Sequence, residues 1–323
     1  MRSFFFTITL LMTCSISAAW AQTAPFHAGI ARIPVSAEEA FDTLVWYPTQ
    51  AKEVPWQAGP FATPASRDAA VASGRFPVVL LSHGGGQTGG SPLLLRALSA
   101  YLARQGFIVV APFHGKTRLL ARPFQVKAAF DAIMADPRFK QHAIPDKLGM
   151  LGFSLGGAVA LGISGGIPNF KELATYCSAH PDDVQSCRAG PGGDRKAVPA
   201  PQAQSAAKAP PIPRLPVRGL VLLDPFGVLF DRAGLTAVNM PVLLFRPEQS
   251  KLGEENTRVL ATGLPQPPKL QHVPGGHFIF TDICPPPLKA EAPELCEDAQ
   301  GVDRAAIHSE VEAQVAKFFR DNL

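Results

Sequence analysis

The chain has 323 residues, 46% of them hydrophobic and 17% charged. That is enough apolar material for one large core and too much for an intrinsically disordered protein. A formal net charge of +4, with no basic block and no interleaving of basic and aromatic residues, argues against a nucleic-acid partner.

In chain order, the first element is a targeting signal. Arg2 precedes an apolar stretch from Phe4 to Ile16, followed by small residues and Ala19-Trp20-Ala21. This is the charged, apolar and A-x-A order of a secretory signal cleaved after Ala21. The stretch is too short to span a bilayer unaided, and no second apolar run of spanning length follows. Cys14 follows Thr13, a poor match to a lipoprotein signal. Residues 1–21 therefore read as a signal peptide, and residues 22–323 as a secreted or periplasmic domain without a stable membrane anchor. Cleavage leaves Cys177, Cys187, Cys284 and Cys296, an even number in an oxidising compartment, for which local pairing in each half is the simplest connectivity. A zinc site built on Cys177, His180 and Cys187 matches no common spacing and lacks a fourth ligand, so no metal is expected.

The segment from Phe26 to Pro48, with Leu44-Val45-Trp46-Tyr47-Pro48, predicts antiparallel edge strands. From Pro77 onward, short apolar runs alternate with helical patterns. The runs are Pro77 to Leu81, Phe107 to Ala111, Lys147 to Gly152, Gly219 to Leu223, Pro241 to Phe245 and Leu270 to Val273. They read as strands buried on both faces. Ser91-Pro92 supplies a helix cap and a first-turn proline, Leu95, Leu98 and Leu102 form one stripe, and Gly106 stops the helix. Val126, Phe130 and Ile133 repeat the pattern before Pro137. Repeated βα units imply a mainly parallel sheet with helices on both faces. The rhythm breaks at about 165–216, where half of the residues from Ala189 to Pro216 are Pro or Ala, a composition that builds no core. This reads as a cap or flexible insertion, either a lid or a surface loop. A last helix carries Ile307, Val311, Val315 and Phe318 on one stripe, with Asp303 favouring its N-terminus.

Two glycine-rich turns carry the chemistry. Gly152-Phe153-Ser154-Leu155-Gly156-Gly157 lies between a strand and a helix start, where G-x-S-x-G forms a tight strained turn that exposes a nucleophilic serine. His83-Gly84-Gly85-Gly86 follows the first buried strand. A phosphate-binding loop would need G-x-x-x-x-G-K-[ST], and Val110 occupies the earlier glycine position relative to Gly115-Lys116-Thr117. An oxyanion hole needs only bare backbone N–H groups, which places its donors at Leu155 and Gly85, with Gly86 as a second choice and His83 in a structural role. The general base must follow the acid in the chain. Of His272, His277 and His308, only His277 sits on a free loop, Pro274-Gly275-Gly276-His277-Phe278.

The succession SHGGG, GFSLGG, LLDPFG and GGHF, with VWYP near the start, resembles the α/β-hydrolase fold. In particular it is similar to secreted proteins of the platelet-activating-factor acetylhydrolase-like and "predicted dienelactone hydrolase" groups. The resemblance covers nearly all of the chain after the signal except the insertion, and it implies serine-type acyl transfer without a cofactor. True dienelactone hydrolases use a cysteine where Ser154 stands, so that substrate is not implied. The usual acid position of the fold, after the strand that follows Met240, offers only Glu248. Asp224, which ends the preceding strand, is the better candidate, and the acetylhydrolase-like group resembles that arrangement. The expectation is an exported hydrolase of small-molecule or polymeric carboxylic esters, working through an acyl-enzyme with Ser154, His277 and Asp224. The alternatives are an amidase, a polyester hydrolase, or a binding protein with an inactive site.

Overall fold

The computed structural model describes residues 24–85, 90–188 and 211–323. The proposed signal peptide, most of the Pro/Ala-rich stretch and Gly86 lie outside the described residues.

Along strand β5 (Phe76–Ser82), Val78 and Leu80 enter one apolar cluster while Val79 and Leu81 enter another, and all four are fully buried. Alternation between two apolar faces is the pattern of a strand covered on both sides. The same division holds for β6 (Ile108–Pro112), β7 (Ala143–Phe153), β8 (Val217–Leu223) and β9 (Val242–Pro247), and β10 (Lys269–Val273) completes a parallel set. Helices α1 (Arg96–Arg104) and the C-terminal helix Arg304–Asn322 cover one face. Helices α2 (Arg122–Ala135) and α3 (Leu155–Ile163) cover the other.

The N-terminal part differs from the sequence expectation. β1 (His27–Val35) and β2 (Phe41–Thr49) are antiparallel, but they are not at the edge. The sheet order is β10-β9-β8-β7-β5-β6-β2-β1-β4-β3, so the edge belongs to a hairpin of β3 (Val54–Ala58) and β4 (Phe61–Arg67). Four of the seven β4 residues are at least partly exposed, and both strands contain a proline, so neither shows the strong apolar run that marks a buried strand. The C-terminal stripe also ends differently. Phe319, four residues after Val315 and so on the same helix face, is fully buried, and Phe318 only partly.

Within the segment read as an insertion lie α4 (Phe170–Ala179) and the short α5 (Val184–Arg188), joined by a Cys177–Cys187 disulfide. A second disulfide, Cys284–Cys296, closes the loop after His277. Among the described residues no helix is long and apolar enough to cross a membrane.

Candidate active site

The carboxyl ends of β5, β7, β8, β9 and β10 emerge on one side of the sheet. After β5 the chain moves to β6 on one flank and then returns to β7 on the other, and at such a reversal open α/β sheets leave a crevice. Each of these strand ends contributes to one cluster.

Ser154 sits between β7 and α3 with φ 54° and ψ −120°, a conformation that non-glycine residues rarely adopt and that surrounding structure must hold. Its N–H donates to Leu223 O and its carbonyl accepts from Gly157 and Phe226 N–H groups. A side chain on Gly156 would overlap the Ser82 carbonyl, which is why this turn demands glycine there. The Ser154 hydroxyl lies 2.9 Å from His277 Nε2. His277 follows β10, is 5% exposed and stacks on Phe153 with ring centroids 5.0 Å apart. Its Nδ1 lies 2.6 Å from Asp224 Oδ2. Asp224, fully buried at the end of β8, also has a positive φ of 39°. The alternative acid, Glu248, is exposed at the end of β9.

Two neighbours of Asp224 escaped the sequence reading. Arg246 Nη1 donates to Asp224 Oδ1 at 3.0 Å, and the Ser250 hydroxyl donates to Oδ2 at 2.5 Å. Leu223 pairs with Phe245 in the parallel β8/β9 register, so the next residue on each strand, Asp224 and Arg246, project from the same sheet end. Arg246 holds Leu252 O with its other terminal nitrogen at 2.7 Å. The signal available in the sequence was an arginine inside an otherwise apolar strand, which must find a partner to be buried.

On the opposite side of Ser154 lies a second polar group of a different kind. His83 Nδ1 is 2.7 Å from Gly84 O, and its Nε2 accepts from His114 N–H at 3.3 Å. His114 Nε2 lies 2.9 Å from the Ser82 hydroxyl, and its Nδ1 lies 2.8 Å from Gln125 Oε1. Gln125 donates onward to Thr117 Oγ1 at 2.9 Å. Burial, reinforced by the charge of Arg122, pushes His83 down to about 4, and burial with the neighbouring His83 and Arg122 pushes His114 well below the ordinary imidazole value. Both rings are thus neutral near pH 7.

A cavity of about 160 Å³ opens on Ser154, lined by Gly85, Leu155, Gln185, Phe226, Leu252, His277 and Phe278. Gln185 comes from α5, so the disulfide-closed segment forms part of the wall. Asp183 ties that segment down, accepting from Tyr176, Ser186 and Gly253. Asn256 joins it to the Phe226 loop by donating to Ser186 and accepting from Gly227 and Val228. Gly85 and Leu155, the expected oxyanion donors, both border the cavity. Among the described residues no cluster of metal-ligating side chains occurs.

Sequence comparison with family profiles and with curated proteins finds no match. In structure the chain is similar to a ferulic acid esterase from Streptomyces cinnamoneus, with a TM-score of 0.62 and 20% identity over 93% of this chain and 91% of that one. It is also similar to a dienelactone hydrolase from Anabaena variabilis ATCC 29413, with a TM-score of 0.50 and 15% identity over 92% and 99% of the two chains. An esterase from Rhizomucor miehei aligns with a TM-score of 0.51 and 12% identity over 93% and 86%. At such identities the likeness speaks for architecture alone, and together with the strand order it establishes that this chain has the α/β-hydrolase fold.

Proposed function

We propose that the protein is an exported serine hydrolase that cleaves carboxylic esters through an acyl-enzyme. The observation that carries this reading is the unbroken line from the Ser154 hydroxyl through His277 to Asp224, at 2.9 and 2.6 Å, on the floor of an apolar cavity. In the first step Ser154 Oγ attacks the ester carbonyl carbon while His277 Nε2 takes the hydroxyl proton. The Gly85 and Leu155 N–H groups receive the negative charge that forms on the carbonyl oxygen. The tetrahedral intermediate collapses, the C–O bond to the alcohol breaks, and His277 returns the proton to the departing oxygen. Water then repeats the sequence on the acyl-Ser154 bond and releases the carboxylic acid. Asp224 orients the imidazole and balances its transient positive charge.

The structural neighbours named as esterases and hydrolases support this chemistry, and the cavity supports a small uncharged group, because no side chain with a formal charge lines it. An engineered apolar cavity of about 150 Å³ holds benzene, so a compact acyl group is the expected occupant. Export is supported by the apparent signal peptide and the two disulfides, the bonds of an oxidising compartment. The test is Ser154→Ala, measured on a short p-nitrophenyl ester and with a fluorophosphonate probe. Turnover and labelling should both vanish while the thermal transition is kept. Turnover in the variant, or an unlabelled wild-type protein, would remove the reading.

A further inference from the structure

The buried histidines beside the oxyanion loop have no part in the proton transfers above, yet they are built with unusual completeness. His83 is 1% exposed and His114 1% exposed, their rings lie 4.7 Å apart, and all four ring nitrogens have partners. The partners fix the tautomers. Gly84 O can only accept and His114 N–H can only donate, so His83 carries its proton on Nδ1.

The acceptor in the first of these bonds gives the arrangement its meaning. In a trans peptide the carbonyl of one residue and the N–H of the next share a plane and point in opposite directions. The described chain contains no cis peptide, so a bond that anchors Gly84 O also sets the direction of Gly85 N–H. The glycine at 85 has φ 83° and would otherwise leave that plane free to swing. Gly84 is pressed against the nucleophile turn, where an added Cβ would lie 2.9 Å from Ser154 Cβ, and the approach of Gly90 closes the same carbonyl from the other side.

Resting on the serine-hydrolase reading, we infer that His83 is a positioning residue which locks the Gly84–Gly85 peptide plane so that Gly85 N–H faces the developing oxyanion. His114, held by Ser82 and Gln125, in turn fixes the His83 ring through its backbone N–H. A preorganised donor costs no reorganisation in the transition state, and a donor free to rotate loses that advantage.

Two amide substitutions separate the bonds of His83. Asparagine places its amide nitrogen near the Nδ1 position and keeps the bond to Gly84 O. Glutamine reaches the Nε2 position and keeps only the bond from His114 N–H. His83→Leu removes both. The measurements are kcat and KM on a p-nitrophenyl ester, the second-order rate of fluorophosphonate labelling, whose phosphoryl oxygen uses the same donors, and the thermal midpoint. His83→Leu and His83→Gln should lower kcat and the labelling rate together by about tenfold to a hundredfold, below the 10²–10³ typical of deleting a donor. KM should change by less than about threefold, and His83→Asn should stay within about fivefold of wild type in both rates. If His83→Leu does not fold, the comparison of His83→Gln with His83→Asn decides alone. Equal loss in the asparagine and glutamine variants, or loss confined to KM or to the thermal midpoint, overturns the inference. A wild-type protein that is neither labelled nor active overturns the serine-hydrolase reading instead, whereas a labelled wild type with unaffected His83 variants overturns only this one.

Discussion

Ser154 stands between two buried polar groups built on opposite principles. On one side Asp224, Arg246, Ser250 and His277 form an ionic cluster, with the Arg246–Asp224 pair at 3.0 Å and almost no solvent exposure. On the other, Ser82, His83, His114, Gln125 and Thr117 form an uncharged relay. The difference follows the charge that each side meets in the proposed reaction. A transient imidazolium is favoured by a fixed negative charge, and that buried charge needs its own cation and hydrogen bonds to be tolerable. A developing oxyanion needs oriented N–H dipoles, which neutral rings can orient, and the buried charge beside them, Arg122 bonded to Thr117 O at 3.2 Å, is positive.

The ionic side should therefore give the larger effects. Asp224→Asn, by offering the imidazole the wrong tautomer, should lower kcat by about 10⁴, while Glu248→Gln at the exposed end of β9 leaves it nearly unchanged. Steady-state kinetics on one ester would check both, and reversed effects would reassign the acid. Arg246→Met comes next. Removing one partner of a buried ion pair should cost about 3–5 kcal/mol in urea unfolding, and the double variant Asp224→Asn/Arg246→Met should cost clearly less than the sum of the two singles. Simple additivity would show that the pair does not act as a unit. The smallest effect is expected from Gln125→Leu on the neutral side. It leaves one imidazole N–H unpaired, for a loss of about 1–3 kcal/mol in the same unfolding measurement and less than a tenfold fall in kcat. A cost as large as that of Arg246→Met would erase the proposed distinction between the two sides.

The elements that were legible in advance are those whose cause is local. The βα rhythm, the glycines around Ser154 and the serine cap of the 3-10 turn Pro92–Leu95 that leads into α1 each depend on the conformational preferences of a few adjacent residues. Ser91 Oγ does accept from Leu93 N–H at 3.2 Å, and Asp303 caps Ala306 N–H at 3.0 Å. The cysteine pairings were readable for a similar reason, since separations of 10 and 12 residues make each ring easy to close. The hairpin β3/β4 was missed because its strands are partly exposed and proline-bearing, so neither burial nor alternation marks them. The helices α4 and α5 were hidden by a neighbouring stretch of strongly biased composition.

By itself the sequence determined the turn that presents Ser154, the buried strands and the histidine-bearing loop, because backbone sterics and apolar periodicity act over a few residues. Tertiary structure alone decided which charges meet. Arg246 reaches Asp224 only through the register of two parallel strands, and His114 reaches His83 across 31 positions of chain. It also decided that Gln185, from the segment that the sequence left as either a lid or a surface loop, borders the same cavity as Ser154. Such contacts depend on the relative placement of whole elements, which short-range preferences do not encode.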